Sequence, residues 1–294
     1  MSVFADRAIA AIRSKTTPLC VGFDPFPERI PALFGDARTD IGPVRDFFHE
    51  IIALAAPLAP AIKPQIGLFE PYGAAGFAAV QDLCAAARDA GLIVILDAKR
   101  GDIGTTAEGY AEAAFGPAFR ADCVTVNPYM GFDTIAPFVR RAETASAGVA
   151  VLVRTSNPGA GDVQDLMVGN RPVWAAVAAG LAPFAPPLMG ESGWSGLMAV
   201  AGATWPDEAR RLRALMPTSL FLVPGYGAQG ASARDAVAGF QPGPNGLEGG
   251  LVNASRSVLY PAAAANAATL PAWRDAVRDA IAEAAADLRA AIQR

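Results

Sequence analysis

The densest group of residues able to do chemistry in this 294-residue chain is LDAKRGDIG, residues 96–104. Side chains alternate along a strand, so Ile93, Ile95, Asp97 and Lys99 share one face while Val94, Leu96 and Ala98 share the other. One face of a covered strand meets helices, which leaves the face carrying Asp97 and Lys99 for the interior. Burying an unpaired carboxylate or ammonium is costly, so the two charges are expected as neighbours, with Asp102 close enough on the following turn to share the lysine. Two further charges end other apolar runs: Asp24 follows LCVGF and Lys63 follows APAI. A lone DxK is an ordinary structural ion pair. Four or five charges of alternating sign gathered at one place are not, because apolar replacements are usually no less stable. A fixed ammonium clamped by carboxylates suits a reaction in which negative charge develops on the substrate.

The elements that must position these charges follow from the apolar runs. Eight occur: LCVGF (19–23), APAI (59–62), LIVIL (92–96), CVTV (123–126), VAVLV (149–153), GLMAV (196–200), LFLV (220–223) and GLV (250–252). Unbroken runs of this length suit strands covered on both faces, as in a parallel sheet. Helices are expected between them over 44–56, 76–90, 106–119, 135–142, 173–181, 207–216 and 231–238. At the end, Trp273, Val277, Ile281, Ala284, Leu288 and Ile292 form one apolar stripe at helical spacing. The pattern predicts an α/β fold, a (β/α)8 TIM barrel in one domain over residues 1–294, with an N-terminal helix over 1–15 and a C-terminal helix over 271–294. Such barrels keep their chemistry at the C-terminal ends of the strands, where these charges fall. The stretch 155–195 is long enough to be a functional cover, and PGYGAQGAS after the seventh run is a second mobile segment.

Composition narrows the partners. Lys and Arg total 24 against 28 Asp and Glu, with a pI near 5.1, so the chain lacks the basic footprint of a nucleic-acid or anionic-membrane binder. The longest apolar stretch, 51–62, is interrupted by Pro57 and Pro60 and is too short to span a bilayer. The N-terminal segment carries Asp6, Arg7 and Arg13 among its apolar residues, unlike a secretory leader, so a cytoplasmic protein is expected. Cys20, Cys84 and Cys123 are odd in number and far apart, and are expected as core residues. His49, the single histidine, sits in DFFHE on an expected helix with no GxSxG elbow elsewhere, which argues against a Ser-His-Asp hydrolase.

GFDP (22–25), AIKP (61–64), DAKRGDIGTT (97–106), PGYGAQG (224–230) and NASRS (253–257) stand in the order of the strand-end motifs of orotidine 5'-phosphate decarboxylases, and the chain resembles that family over roughly residues 18–260. RTSNPGAGDVQ (154–164) is similar to the longer bacterial branch. DxKxxD alone is shared with related sugar-phosphate decarboxylases and with hexulose-phosphate synthases. Gly104 departs from the family, where proline often follows the DI pair.

The resemblance implies conversion of orotidine 5'-phosphate to UMP and CO2 in pyrimidine biosynthesis, with no cofactor and no metal. It implies Lys99, Asp97, Asp102 and Lys63 as the catalytic array. Lys99 would stabilise the C6 carbanion and protonate it, and Asp97 would lie beside the substrate carboxylate. Asp24 and Lys63 are implied at the ribose hydroxyls and Ser156 at the pyrimidine amide, although Thr155 adjoins it. Gly227, Gln229 and Arg256 are implied at the phosphate, where glycine-rich turns after the seventh strand expose backbone N–H groups and an arginine supplies a fork of donors. Asp102 and Thr106 are implied to enter a neighbouring subunit's site, hence a homodimer. Asn127, at the end of the fourth run, is expected to cap a turn.

Two other readings compete. A Schiff-base aldolase needs a neutral lysine, whereas Lys99 is flanked by carboxylates that favour its charged form. A catalytically silent phosphate-ligand binder would hold UMP without turning over its precursor. Metal-dependent relatives carry glutamate where this chain has Lys63, and a cation there would repel a metal.

Overall fold

A computed structural model describes residues 2–265 and 267–293, so the outermost residues of the two expected terminal helices, Met1 and Arg294, lie outside the described residues. The eight apolar runs form eight parallel strands: β1 (Leu19–Phe23), β2 (Ala61–Pro64), β3 (Ile93–Arg100), β4 (Cys123–Val126), β5 (Gly148–Arg154), β6 (Ser195–Ala201), β7 (Ser219–Val223) and β8 (Gly250–Ala254). Each pairs with its sequence neighbours and β8 closes on β1, giving a closed (β/α)8 barrel. The expected fold class is the observed one.

Alternation along the strands sorts the core into two layers. Cys20, Ile93, Ile95, Cys123, Ala150, Met198 and Leu222 fill the barrel, while Leu19, Val94, Leu96, Val124 and Val149 point outward against the helices. The barrel filling also includes Phe4, Ala8, Ile9 and Ile12 of α1 (Phe4–Lys15). A Cβ on Gly148 would come within 2.4 Å of the Phe4 ring, so α1 closes the end where β5 begins. Only the opposite mouth, at the C-terminal ends of the strands, is left for a ligand. Cys20, Cys84 and Cys123 are all buried, and burial pushes the thiols of Cys20 and Cys84 up to about 12.

The covering helices are α2 (Ile41–Ala55), α3 (Gly73–Asp89), α4 (Gly104–Phe115), α5 (Ala136–Ala145), α6 (Val173–Leu181), α7 (Pro206–Leu215) and α8 (Leu270–Ile292). The expected apolar stripe of α8 is buried from Trp273 to Ile292. Thr269 caps its first turn and Pro271 stands where no N–H is needed. Trp273 packs edge-on to Phe34 at 4.9 Å. The expected helix over 231–238 shrinks to Ala233–Ala236, started by a capping box of Ser232 and Asp235. The stretch 155–195 is not an open loop. It holds a short helix (Gly161–Gln164), a hairpin pairing Met167–Val168 with Arg171–Pro172, and α6.

Candidate active site

Asp97 is the centre of the charged group. β3 runs on past its apolar core through Asp97 to Arg100, with a register shift against β4 between Leu96 and Arg100. Such an irregularity re-aims side chains at a strand end. Asp97 Oδ2 lies 2.7 Å from Lys63 Nζ and accepts from Gln65 Nε2 at 2.9 Å. Its Oδ1 lies 2.6 Å from Lys99 Nζ and accepts from Thr125 Oγ1 at 2.9 Å. One carboxylate therefore holds two ammonium groups from two strands.

The electrostatics are those of a compensated buried cluster. Burial opposes the charged form of Asp97, but Lys63 and Lys99 outweigh it and hold the carboxyl well below the usual carboxylate range. Burial likewise opposes the ammonium of Lys63, and the charges of Asp97 and Asp24 overcome it and raise its pKa. Lys99 differs from Lys63 in access, since its side chain is 45% exposed against 6%. Of the two ammonium groups on Asp97, it is the more open to a ligand in the mouth.

Lys99 also has an unusual backbone, with φ at 46°. A non-glycine residue in this left-handed region costs on the order of 1 kcal/mol or more and persists only when its surroundings enforce it. Here the Lys99 N–H donates to Thr125 Oγ1 at 2.9 Å while the ammonium is tied to Asp97. Thr125 holds both the lysine backbone and the carboxylate partner.

A cavity of about 440 Å³ opens above this cluster, a size suited to a small ligand. Asp24, Lys63, Asp97, Lys99, Ser156, Gln229 and Arg256 all line it. Arg256 is exposed, at the start of a short helix after β8, and its Nη2 reaches the carbonyl of Ala228 at 3.5 Å. Asp24 Oδ1 is buried without a partner among the described residues.

Three expected residues lie outside the lining. Asp102 does not share Lys99: its Oδ1 accepts from the N–H of Ile103 at 2.8 Å, and no ion pair joins it to the lysine within the chain. The expectation of a closed Asp-Lys-Asp array in one chain is thereby corrected: Asp102 follows the end of β3 at Arg100, engages the N–H of Ile103 and does not line the cavity. Thr106 is exposed on the first turn of α4. Gly227, with φ at 70°, commits its N–H to the carbonyl of Ala231 at 3.0 Å, which shapes the turn that carries Gln229. Asn127 Oδ1 accepts from the N–H of Tyr129 at 3.0 Å and caps a turn as expected.

Six polar residues of the lining escaped the reading of the sequence: Gln65, Thr125, Asn157, Tyr226, Asn253 and Ser255. Alternation offered a signal for two of them, since Thr125 must share the interior face with Cys123. Gln65 stands two residues after Lys63 and follows by the same rule. His49 lies outside the cavity and pairs with Asp82 at 2.7 Å on the exposed surface. No helix among the described residues is long and apolar enough to cross a membrane.

Comparison with known proteins agrees with this geometry. The sequence profile of the orotidine 5'-phosphate decarboxylase / HUMPS family matches residues 17–269. The orotidine 5'-phosphate decarboxylase of Deinococcus radiodurans is 41% identical over 258 residues, covering 87% of this chain and 89% of that protein. That of Rhodopirellula baltica is 39% identical over 272 residues, with 88% and 89% covered. The solved structure of Leishmania donovani OMP decarboxylase superposes with a TM-score of 0.77 at 33% identity, covering 99% of this chain and 98% of that one. Fold and similarity over most of the length agree, and the chain belongs to the orotidine 5'-phosphate decarboxylase / HUMPS family.

Proposed function

We propose that this protein decarboxylates orotidine 5'-phosphate to UMP and CO2 in pyrimidine biosynthesis, without metal or cofactor. The observation that carries the reading is the exposed ammonium of Lys99, held 2.6 Å from the buried carboxylate of Asp97 at the mouth of the cavity. When the bond from C6 to the carboxylate breaks, its electron pair stays on C6 in the plane of the ring, where no adjacent carbonyl can delocalise it. The Lys99 ammonium meets that pair and then transfers a proton to C6, and the neutral amine regains a proton from water. One unit charge pair at about 4 Å in an effective dielectric near 20 contributes roughly 4 kcal/mol, about a thousandfold in rate. The remaining acceleration comes from preorganised neighbours and from binding energy at the ribose and phosphate.

Asp97 stands in this reading beside the substrate carboxylate, and with Lys63 and Thr125 it fixes the lysine. Asp24 and Lys63 take the ribose hydroxyls, Ser156 the pyrimidine amide, and Gln229 and Arg256 the phosphate, with Gly227 shaping their turn. Asp102 and Thr106 serve the site of a second subunit in a homodimer. In support, Asp102 is free of Lys99 in its own chain, and Ile103 and Tyr129 on adjoining mouth loops are exposed apolar residues of the kind a partner covers. A cytoplasmic location accords with a pathway of soluble small molecules.

The test is the ultraviolet change on loss of orotidine 5'-phosphate, followed with excess chelator for the wild type and Lys99→Ala. Turnover that survives chelator and falls about a thousandfold or more in the variant is expected. Full activity of Lys99→Ala would remove the proton donor, and loss to chelator alone would favour a metal-dependent reaction.

A further inference from the structure

The segment that leads from β5 into the cavity is fastened from behind by Gln164, which does not line the cavity. Every backbone and side-chain polar group of Thr155 is engaged. Its N–H donates to Gln164 Oε1 at 3.0 Å, and its Oγ1 accepts from Gln164 Nε2 at 2.8 Å while donating to Asn157 Oδ1 at 2.7 Å. Its carbonyl accepts from Trp205 Nε1 at 3.0 Å. Ser156 is the contrary case. Its carbonyl accepts from Thr204 Oγ1 at 3.4 Å, but its hydroxyl makes no hydrogen bond among the described residues and the side chain lines the cavity. Both residues line the cavity, but the Thr155 hydroxyl is spent on Gln164 and Asn157, while that of Ser156 is available to a ligand.

Gln164 can hold Thr155 in only one sense, because its Oε1 must face the N–H and its Nε2 must then face the hydroxyl. The helix that carries it is itself anchored, since Asp165 lies 2.9 Å from Nη1 of Arg154, a guanidinium 2% exposed and stacked over Trp205 at 4.1 Å. The other side is closed by Gly202, where a Cβ would come within 2.8 Å of Ser156 Cα. Two independent supports thus converge on the backbone of Ser156.

We propose that Gln164 is a positioning residue for recognition of the pyrimidine: it locks Thr155 so that the Ser156 hydroxyl faces the base. This gives the start of the 155–195 insertion a part in base selectivity. The proposal rests on the reading of the cavity as a nucleotide site. A group that orients only the base contact should affect ligands that contain a base and spare those that end at the sugar.

Titration calorimetry of the full chain with UMP and with ribose 5-phosphate separates these cases. Gln164→Ala is expected to weaken UMP about tenfold and to leave ribose 5-phosphate unchanged, with Gln164→Glu, which keeps an acceptor for the Thr155 N–H, lying between. Gly202→Ala, which displaces the same backbone without touching Gln164, is expected to show the same selective loss. Equal weakening of both ligands, or none, in Gln164→Ala overturns the proposal while wild-type turnover of orotidine 5'-phosphate stands. A wild type that binds UMP no better than ribose 5-phosphate and does not turn over orotidine 5'-phosphate overturns the nucleotide reading and the proposal together.

Discussion

Lys63 Nζ and Asp97 Oδ2 lie 2.7 Å apart with 6% and 7% of their side chains exposed, so each is the other's counterion in a place that water barely reaches. Removing one member leaves an uncompensated charge, which costs about 3 kcal/mol or more. Asp97→Asn is therefore expected to lose at least that much in urea unfolding at pH 7, besides losing activity. The pH dependence follows from the two shifts. The Asp97 carboxyl is depressed in the fold, so its contribution is present above the unfolded value of about 4 and disappears as pH falls below it. The Lys63 ammonium is raised, so its contribution is present below the unfolded value of about 10.4 and disappears only at higher pH. The stability gap between wild type and Asp97→Asn should stay level from about pH 5 to 10 and narrow in acid. A gap that closes near neutrality would contradict the pairing.

The left-handed backbone of Lys99 separates its chemical role from its conformational cost. Glycine adopts φ near 46° without penalty and alanine does not. Lys99→Gly should be more stable than Lys99→Ala by about 1 kcal/mol, and both should be equally devoid of activity. Chemical denaturation of the two variants measures the difference. The reverse order would mean that the backbone there is unstrained.

Arg256 is exposed at the cavity rim, far in character from the buried pair. A charge-assisted hydrogen bond contributes about 1.5–3 kcal/mol, so Arg256→Ala should raise KM for orotidine 5'-phosphate about 10- to 100-fold, with the smaller effect on kcat. Steady-state kinetics decides, and an unchanged KM would remove Arg256 from the phosphate site.

The proposed sharing of the site between two subunits makes a prediction that no single variant tests. Lys99→Ala and Asp102→Ala are each expected to be inactive alone. After co-refolding, about half of the dimers are mixed and each mixed dimer regains one intact site, so about a quarter of wild-type activity should return. No recovery, with mixed dimers demonstrated, would place Asp102 in its own subunit's chemistry or outside catalysis.

The barrel was legible because the strands are nearly unbroken apolar runs, and six of the eight are followed by a polar residue: Asp24, Lys63, Asp97, Asn127, Arg154 and Asn253. Asp97, Lys63 and Asp24 were legible for the same reason, since charges adjoining covered strands are conspicuous. Asp102 was misjudged because three residues of sequence say little about distance once the strand ends and the backbone turns. Thr125 and Gln65 went unnoticed because a neutral polar side chain barely interrupts an apolar run, although both serve Asp97 directly. Helix ends drifted by a few residues where caps, not periodicity, decide them, as at Ala233–Ala236 with its Ser232 cap.

The three cysteines have a practical consequence. Alkylating reagents need a thiolate they can touch, and Cys20, Cys84 and Cys123 offer neither access nor ready ionisation while the barrel is closed. Cys20 and Cys123 lie inside the barrel, so labelling of those two sulfurs should follow its opening, whereas Cys84 lies under α3 and should follow release of that helix. The native chain thus carries two internal gauges, one of barrel opening and one of helix release, with no engineered probe.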